Sequence, residues 1–166
     1  MVTAAAAPVA RRRGRVHGID LDAVEEAVRA AERGTTGEIR VALARFYFWG
    51  DIQRAAERAF VRLGIDRTRE HDGVLIFVAP WRRRFAILGD RGIHARVEAG
   101  FWQDLADRLG AAFHIGDLTG GLVRAIATIG GRLAIHFPAA DEASPEANPN
   151  ELPDSVALDG QRRRRR

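Results

Sequence analysis

A chain of 166 residues that is 46% hydrophobic can bury one substantial core, and its lack of cysteine rules out disulfides, thiolate nucleophiles and cysteine metal sites. All 26 basic residues are arginine, which also excludes Schiff-base chemistry and a phosphate-loop lysine. The nominal charge of +4 is unevenly spread. Nine arginines lie at 11–13, 15 and 162–166, so residues 16–161 set 17 arginines against 22 acids, a net −5. Without the six acids that follow Pro138, the part expected to fold is nearly neutral, at +1.

In the first fifteen residues the arginines follow a short apolar stretch broken by Pro8, the reverse of a secretory signal. The apolar segment from Gly120 to Phe137 is interrupted by Arg124 and Arg132, so no membrane span is expected and the cytoplasm is the expected compartment. Residues 1–17 read as a disordered basic arm, 18–138 as one domain, and 139–166 as a disordered tail, first acidic and then arginine-rich.

Within the domain, Asp20 suits an N-cap for a helix from Asp20 to Arg33 with the stripe Leu21, Val24, Ala27, Val28 and Ala31. Glu38 to Ala44 alternates as a half-buried strand does, and is expected near a sheet edge. An aromatic loop, Phe46 to Gly50, precedes a helix capped by Asp51, with the stripe Ile52, Ala55, Ala59, Phe60 and Leu63, closed by Gly64. Val74–Ala79 and Phe85–Leu88 are short, rich in β-branched and aromatic residues, and joined by Pro80, Trp81 and the arginines. They read as a β-hairpin centred near Trp81, with Val74 opposite Leu88 and Asp72 opposite Asp90, and apolar on both faces as a central strand pair is. The strand from Glu38, the helix from Asp51 and the first hairpin strand form a β-α-β unit with parallel strands. A short helical turn at Ile93–Val97 follows. A helix after Gly100 carries Phe101, Leu105, Leu109 and Phe113, and a last helix, from about Thr119 to Phe137, stops at Pro138.

The segments TGEIRVAL (Thr36–Leu43), AERAFVRLGI (Ala56–Ile65), DGVLIFVAPWRRRFAILGDRGI (Asp72–Ile93) and FHIGDLTGGL (Phe113–Leu122) resemble a TPM domain. This is the type found in a thylakoid-lumen acid phosphatase, in photosystem II repair proteins and in many bacterial proteins. The resemblance implies an α/β fold, a three-layer α/β/α sandwich with a small, mostly parallel sheet and the hairpin at its centre. It further implies phosphatase activity of the kind reported for some members, and divalent-metal binding. Many members carry a secretion signal and a C-terminal membrane helix; neither is read in this sequence.

Parallel strands bring Glu38 and Asp72 to one sheet edge, the hairpin returns Asp90 there, and Asp117 in the last interhelical loop is expected to reach it. Such a carboxylate set suits Ca²⁺ or Mg²⁺, although Asp72, Asp90 and Asp117 also stand where turn and cap aspartates belong. His71, His94 and His114 flank the same loops, each read either as a surface or locally bonded histidine or as a candidate acid or nucleophile. Asp20-Leu21-Asp22 precedes a helix rather than following a strand, and reads as a cap. At the other end of the hairpin, Trp49, Trp81, Arg82 and Arg83 form a candidate surface for a protein partner. The terminal arginine runs suit weak, sequence-unspecific contact with nucleic acid or a membrane surface. The reading that results is an accessory or protein-binding module with divalent-cation binding, the alternative being a metal-assisted acid phosphatase.

Overall fold

The computed structural model describes residues 14–44, 49–139 and 152–159. Its elements are β1 (Arg15–Val16), β2 (Ile19–Asp20), α1 (Leu21–Glu32), β3 (Ile39–Leu43), α2 (Ile52–Arg62), β4 (Val74–Ala79), β5 (Arg84–Gly89), α3 (Arg91–His94), α4 (Phe101–His114), α5 (Leu118–His136) and β6 (Ala157–Leu158). The expected caps are formed, Asp20 accepting from the Ala23 amide and Asp51 from Arg54, and Asp117, expected as a loop residue, caps α5 through the Gly120 amide, each satisfying a first-turn N–H that the helix itself leaves unpaired.

The fold is α/β, with a mixed sheet in the order β5-β4-β3-β6 in which β4 and β6 run parallel to β3 and β5 antiparallel to β4. Period-two alternation decides which helices each strand face meets. Val74, Ile76 and Val78 join Ile39, Val41 and Leu43 in a core closed by α1, α4 and α5. Leu75, Phe77 and Ala79 pack with Ala42 against Ala55, Ala56 and Ala59 of α2. The result is the expected three-layer sandwich. Across its larger layer α1 and α5 come so close that a Cβ on Gly130 would stand 2.6 Å from the Ala31 Cβ. α5 is long and apolar enough, by length and composition alone, to cross a membrane. Its Leu122, Ile126, Ile129 and Leu133 are instead the domain's own core.

Three expectations are corrected. First, the hairpin pairs Val74 with Gly89, Ile76 with Ile87 and Val78 with Phe85, one residue away from the expected register. The reason is the tip: Pro80–Arg82 form a 3₁₀ turn, and Arg83 adopts a left-handed conformation (φ 48°) with its amide on the Pro80 carbonyl, which lengthens the loop asymmetrically. Second, β4 is internal but β5 is an edge strand, and β3, expected near the edge, is buried over all five residues.

Third, the described chain runs past both expected domain boundaries. At the N-terminal side, β1 and β2 form a ribbon turning at His17 and Gly18, both with positive φ as a type I′ turn requires. At the C-terminal side, part of the tail expected to be disordered returns to the sheet: β6 pairs with Ala42 and Leu43, and Val156 is 2% exposed inside the larger core. The Val156 amide donates to Glu25 Oε1 (2.9 Å) and Arg62 pairs with Asp159 (2.6 Å), so this strap is fastened on both faces of the sheet. Residues 1–13, 45–48, 140–151 and 160–166 lie outside the described residues, and with them both terminal arginine runs except Arg15, and Phe46–Phe48. If the strap is part of the cooperative fold, Val156→Ala lowers stability by about 2 kcal/mol through lost burial and the space left behind. Thermal melting checks this; a melting temperature equal to wild type would show the strap to be energetically separate.

Candidate functional site

The acidic end of the sheet is built by the starts of β3 and β4 and the end of β5. Asp72 is 2% exposed and accepts from the Thr36 hydroxyl (3.3 Å). Asp90 caps α3 through the Arg91 amide (2.7 Å), and its other oxygen meets His71 Nδ1 at 3.0 Å. His71 has a left-handed backbone (φ 54°), its carbonyl receives the Gly92 and Ile93 amides, and its Nε2 faces Arg91 Nη2 at 2.5 Å. Histidine and aspartate are thereby locked as a pair, with Nε2 turned towards a guanidinium. Of the other candidate histidines, His94 stacks on Trp102, and His114 is exposed with its carbonyl accepting from Arg83.

Glu38, Asp72, Asp90 and Asp117 do not form one cluster. Asp117 is at the opposite end of the domain, because the 14 residues of α4 carry the chain about 20 Å along the sheet before the connection to α5. There it pairs with Arg124 (2.8 Å), and that hydrogen bond holds its carboxyl below the usual range. Glu38 does stay at the acidic end, 3% exposed, but it turns into a hollow of about 450 Å³ lined also by Glu32 and Asp154. Among the described residues no group of three or more histidine or acidic side chains is placed to hold a metal ion. The four carboxylates as arranged therefore do not fit the Ca²⁺ or Mg²⁺ site expected of them.

That hollow holds groups the sequence reading passed over. Glu32 Oε1 accepts from the Ile39 amide (2.7 Å) on the outer edge of β3. Burial raises the Glu32 pKa to about 8, with nearby Glu38 and a hydrogen bond shared with Asp154 adding to it. Arg40 is 5% exposed; its Nε and Nη1 reach no acceptor among the described residues, and burial lowers its pKa against the pull of Glu32, Glu38 and Asp154. A signal was present in the sequence: Glu25 and Glu32 fall at the helical spacing of Leu21 and Val28, on the apolar face where acids do not belong unless something meets them.

The other end of the sheet is assembled around the hairpin tip. Arg82 Nη1 donates to the Gly50 carbonyl (2.9 Å), Arg83 Nη1 to that of His114 (2.9 Å), and Trp81 Nε1 to His17 Nδ1 (2.9 Å). Three successive side chains thus tie the tip to the loop before α2, to the α4–α5 connection and to the β1–β2 turn. Trp49 and Trp81 nevertheless remain 80% and 62% exposed. Of the four residues expected to face a partner, all are brought to this end.

Residues 17–132 match the TPM domain. The chain belongs to the TPM-domain family. Among solved structures, this TPM domain is similar to the BA42 protein from the psychrophilic bacterium Bizionia argentinensis, at 34% identity and TM-score 0.73 over 83% of this chain and 91% of that one. The N-terminal domain of cg2496 from Corynebacterium glutamicum shares the fold, at 14% identity and TM-score 0.55, over 80% of this chain and 88% of that one. No curated protein matches the sequence.

The half-buried Glu32 makes the domain's stability depend on pH in a defined direction. Its folded pKa of about 8 lies above the ordinary 4.5, so between these values the folded state holds a proton that the unfolded state has lost. The stabilisation is complete below about pH 4.5 and is lost as pH rises through about 8. Glu32→Gln keeps an acceptor for Ile39 and removes the titration. It is expected to flatten the decline in melting temperature over that window and to gain roughly 2 kcal/mol on wild type at its alkaline end, the partial contact of the carboxyl with water keeping the figure below the full shift. Parallel pH profiles for the two proteins would show no difference between them if Glu32 were solvated.

Proposed function

We propose that this TPM domain is an accessory, protein-binding module that docks its partner at the hairpin tip through Trp49, Trp81, Arg82 and Arg83. One observation carries the reading: two tryptophans, 80% and 62% exposed, stand at an end where Arg82 is clamped to Gly50. Large exposed aromatics beside guanidinium groups are the composition of binding hot spots, and side chains pre-tied to the backbone lose little entropy when they bind. The partner suited to them offers carboxylates beside an apolar surface. The arginine runs at 11–13 and 162–166 would add a sequence-unspecific attraction to polyanionic surfaces. Trp49→Ala and Arg83→Glu are each expected to weaken capture of the partner about tenfold while leaving thermal stability near wild type. Identical sets of captured proteins for wild type and both variants would reject this surface.

A second reading, hydrolysis of phosphoric esters, is favoured by the His71–Asp90 pair with Arg91 at Nε2. Asp90 would orient the imidazole, Nε2 would serve as acid or nucleophile, and Arg91 would turn to the phosphoryl oxygens. Phosphate release from a generic ester by wild type, His71→Gln and Asp90→Asn, with chelator and with added Ca²⁺ or Mg²⁺, separates the outcomes. This reading expects both variants to lose at least about 100-fold in rate; release that neither substitution changes eliminates this site.

A further inference from the structure

We propose that the outer edge of β5 is a self-pairing surface, through which two copies of the domain join into one continuous sheet. The register fixes which groups that edge offers. Asp90 donates its amide to the Gly73 carbonyl, so the pairs Leu75–Leu88, Phe77–Ala86 and Ala79–Arg84 exchange the ladder hydrogen bonds. Arg84, Ala86 and Leu88 therefore turn their backbone groups inward to β4, and Phe85, Ile87 and Gly89 turn theirs outward. Among the described residues no backbone or side-chain group closes these outward positions. The contrast with the opposite margin is direct: there Glu32 takes the Ile39 amide and β6 covers Ala42 and Leu43. β5 has no proline and no bulge, and its charge lies only at its first residue, so it lacks the usual guards of an edge strand.

The strand is complementary to itself in particular. An antiparallel pairing about a two-fold axis at Ile87 matches all three outward residues: Ile87 meets Ile87 of the second copy and Phe85 meets Gly89. In the same register Ala86 lies opposite Leu88, and Arg84, exposed, lies opposite Asp90 of the second copy, twice by symmetry. The Arg84 side chain would enter a cavity of about 280 Å³ lined by Glu57, Phe60, Val61, Leu88, Gly89 and Asp90. This cavity offers two carboxylates to the guanidinium and an apolar wall whose Val61 is now 55% exposed. Beyond the pair at 84 and 90 the next positions set Arg83 opposite Arg91, a repulsion that limits the ladder to these seven residues and selects this register over a slipped one. A strand of unrelated sequence would satisfy the backbone groups without the charge match, so the second copy is the occupant that edge and cavity together favour.

Sedimentation velocity of the full chain, from micromolar to near-millimolar concentration, tests this. A reversible dimer is expected. Arg84→Glu, a change at an exposed residue, is expected to weaken it about tenfold or more, and adding Glu57→Arg to recover most of the loss. Ile87→Pro removes an outward amide and is expected to abolish dimerisation, with circular dichroism reporting whether the domain remains folded. A chain that is monomeric throughout, or a dimer whose dissociation constant is unchanged in folded Arg84→Glu, overturns the proposal. So does a dimer lost in Trp49→Ala and retained in Arg84→Glu, which would move the contact to the hairpin tip.

Discussion

β4 is the constraint on which the rest depends. All six of its residues are buried, and both its edges are paired, so each of its backbone groups must be satisfied by β3 or β5 and each of its side chains by a helix layer. That condition places α2 on one face and α1, α4 and α5 on the other, and puts the loop leading into α2 and the antiparallel return through the Pro80–Arg82 turn at the same end. The two ends of the sheet consequently differ in kind. One gathers the starts of the two parallel strands, with Glu38 and Asp72 buried and Asp90 tied to His71. The other gathers the hairpin tip and three connections, with two exposed tryptophans.

Much of this was legible from the sequence because the signals are local. The unbroken apolar run VLIFVA marks a strand covered on both sides, and Asp20 and Asp51 announce two helices by a mechanism that acts within one turn. Phe101, Leu105, Leu109 and Phe113 recur at helical spacing and are the buried face of α4. The meeting of Trp49 with the hairpin tip also follows from topology alone, since β3 and β4 are parallel and end together. The misreadings share a different cause. Hairpin register turns on Arg83 adopting a positive φ, which residue type does not announce for arginine. Asp117 was assigned to the wrong end because a loop's reach depends on the direction of the helix before it.

The tail shows the limit most clearly. Residues 138–160 have the composition of a segment without a core, yet Val156 joins a core that reaches back to Leu21 and Val24 at the start of the domain. The pairing of β6 with Ala42 and Leu43, a buried valine, one amide on Glu25 and an ion pair between Asp159 and Arg62 hold it, and anchors so different in kind leave no periodic trace. Glu25 and Glu32, in turn, make sense on the apolar face of α1 only once the strap and the edge of β3 are in view. Polar residues in a core stripe are thus informative about what the chain brings back later.

The pairing of β6 with β3 bears on how the molecule acquires its structure. Ala42 and Ala157 are contiguous in the sheet but far apart in the chain, so closing that contact from the unfolded state costs more loop entropy than the other pairings of the sheet, by roughly 1 kcal/mol over that of β3 with β4. During synthesis the five-residue strand β3 emerges long before its outer neighbour does. Through that interval the Ile39 amide has the carboxyl of Glu32, only seven residues away, as an immediate partner. The side chain that later lines the acidic hollow thus meets the margin of β3 from within the same local stretch of chain.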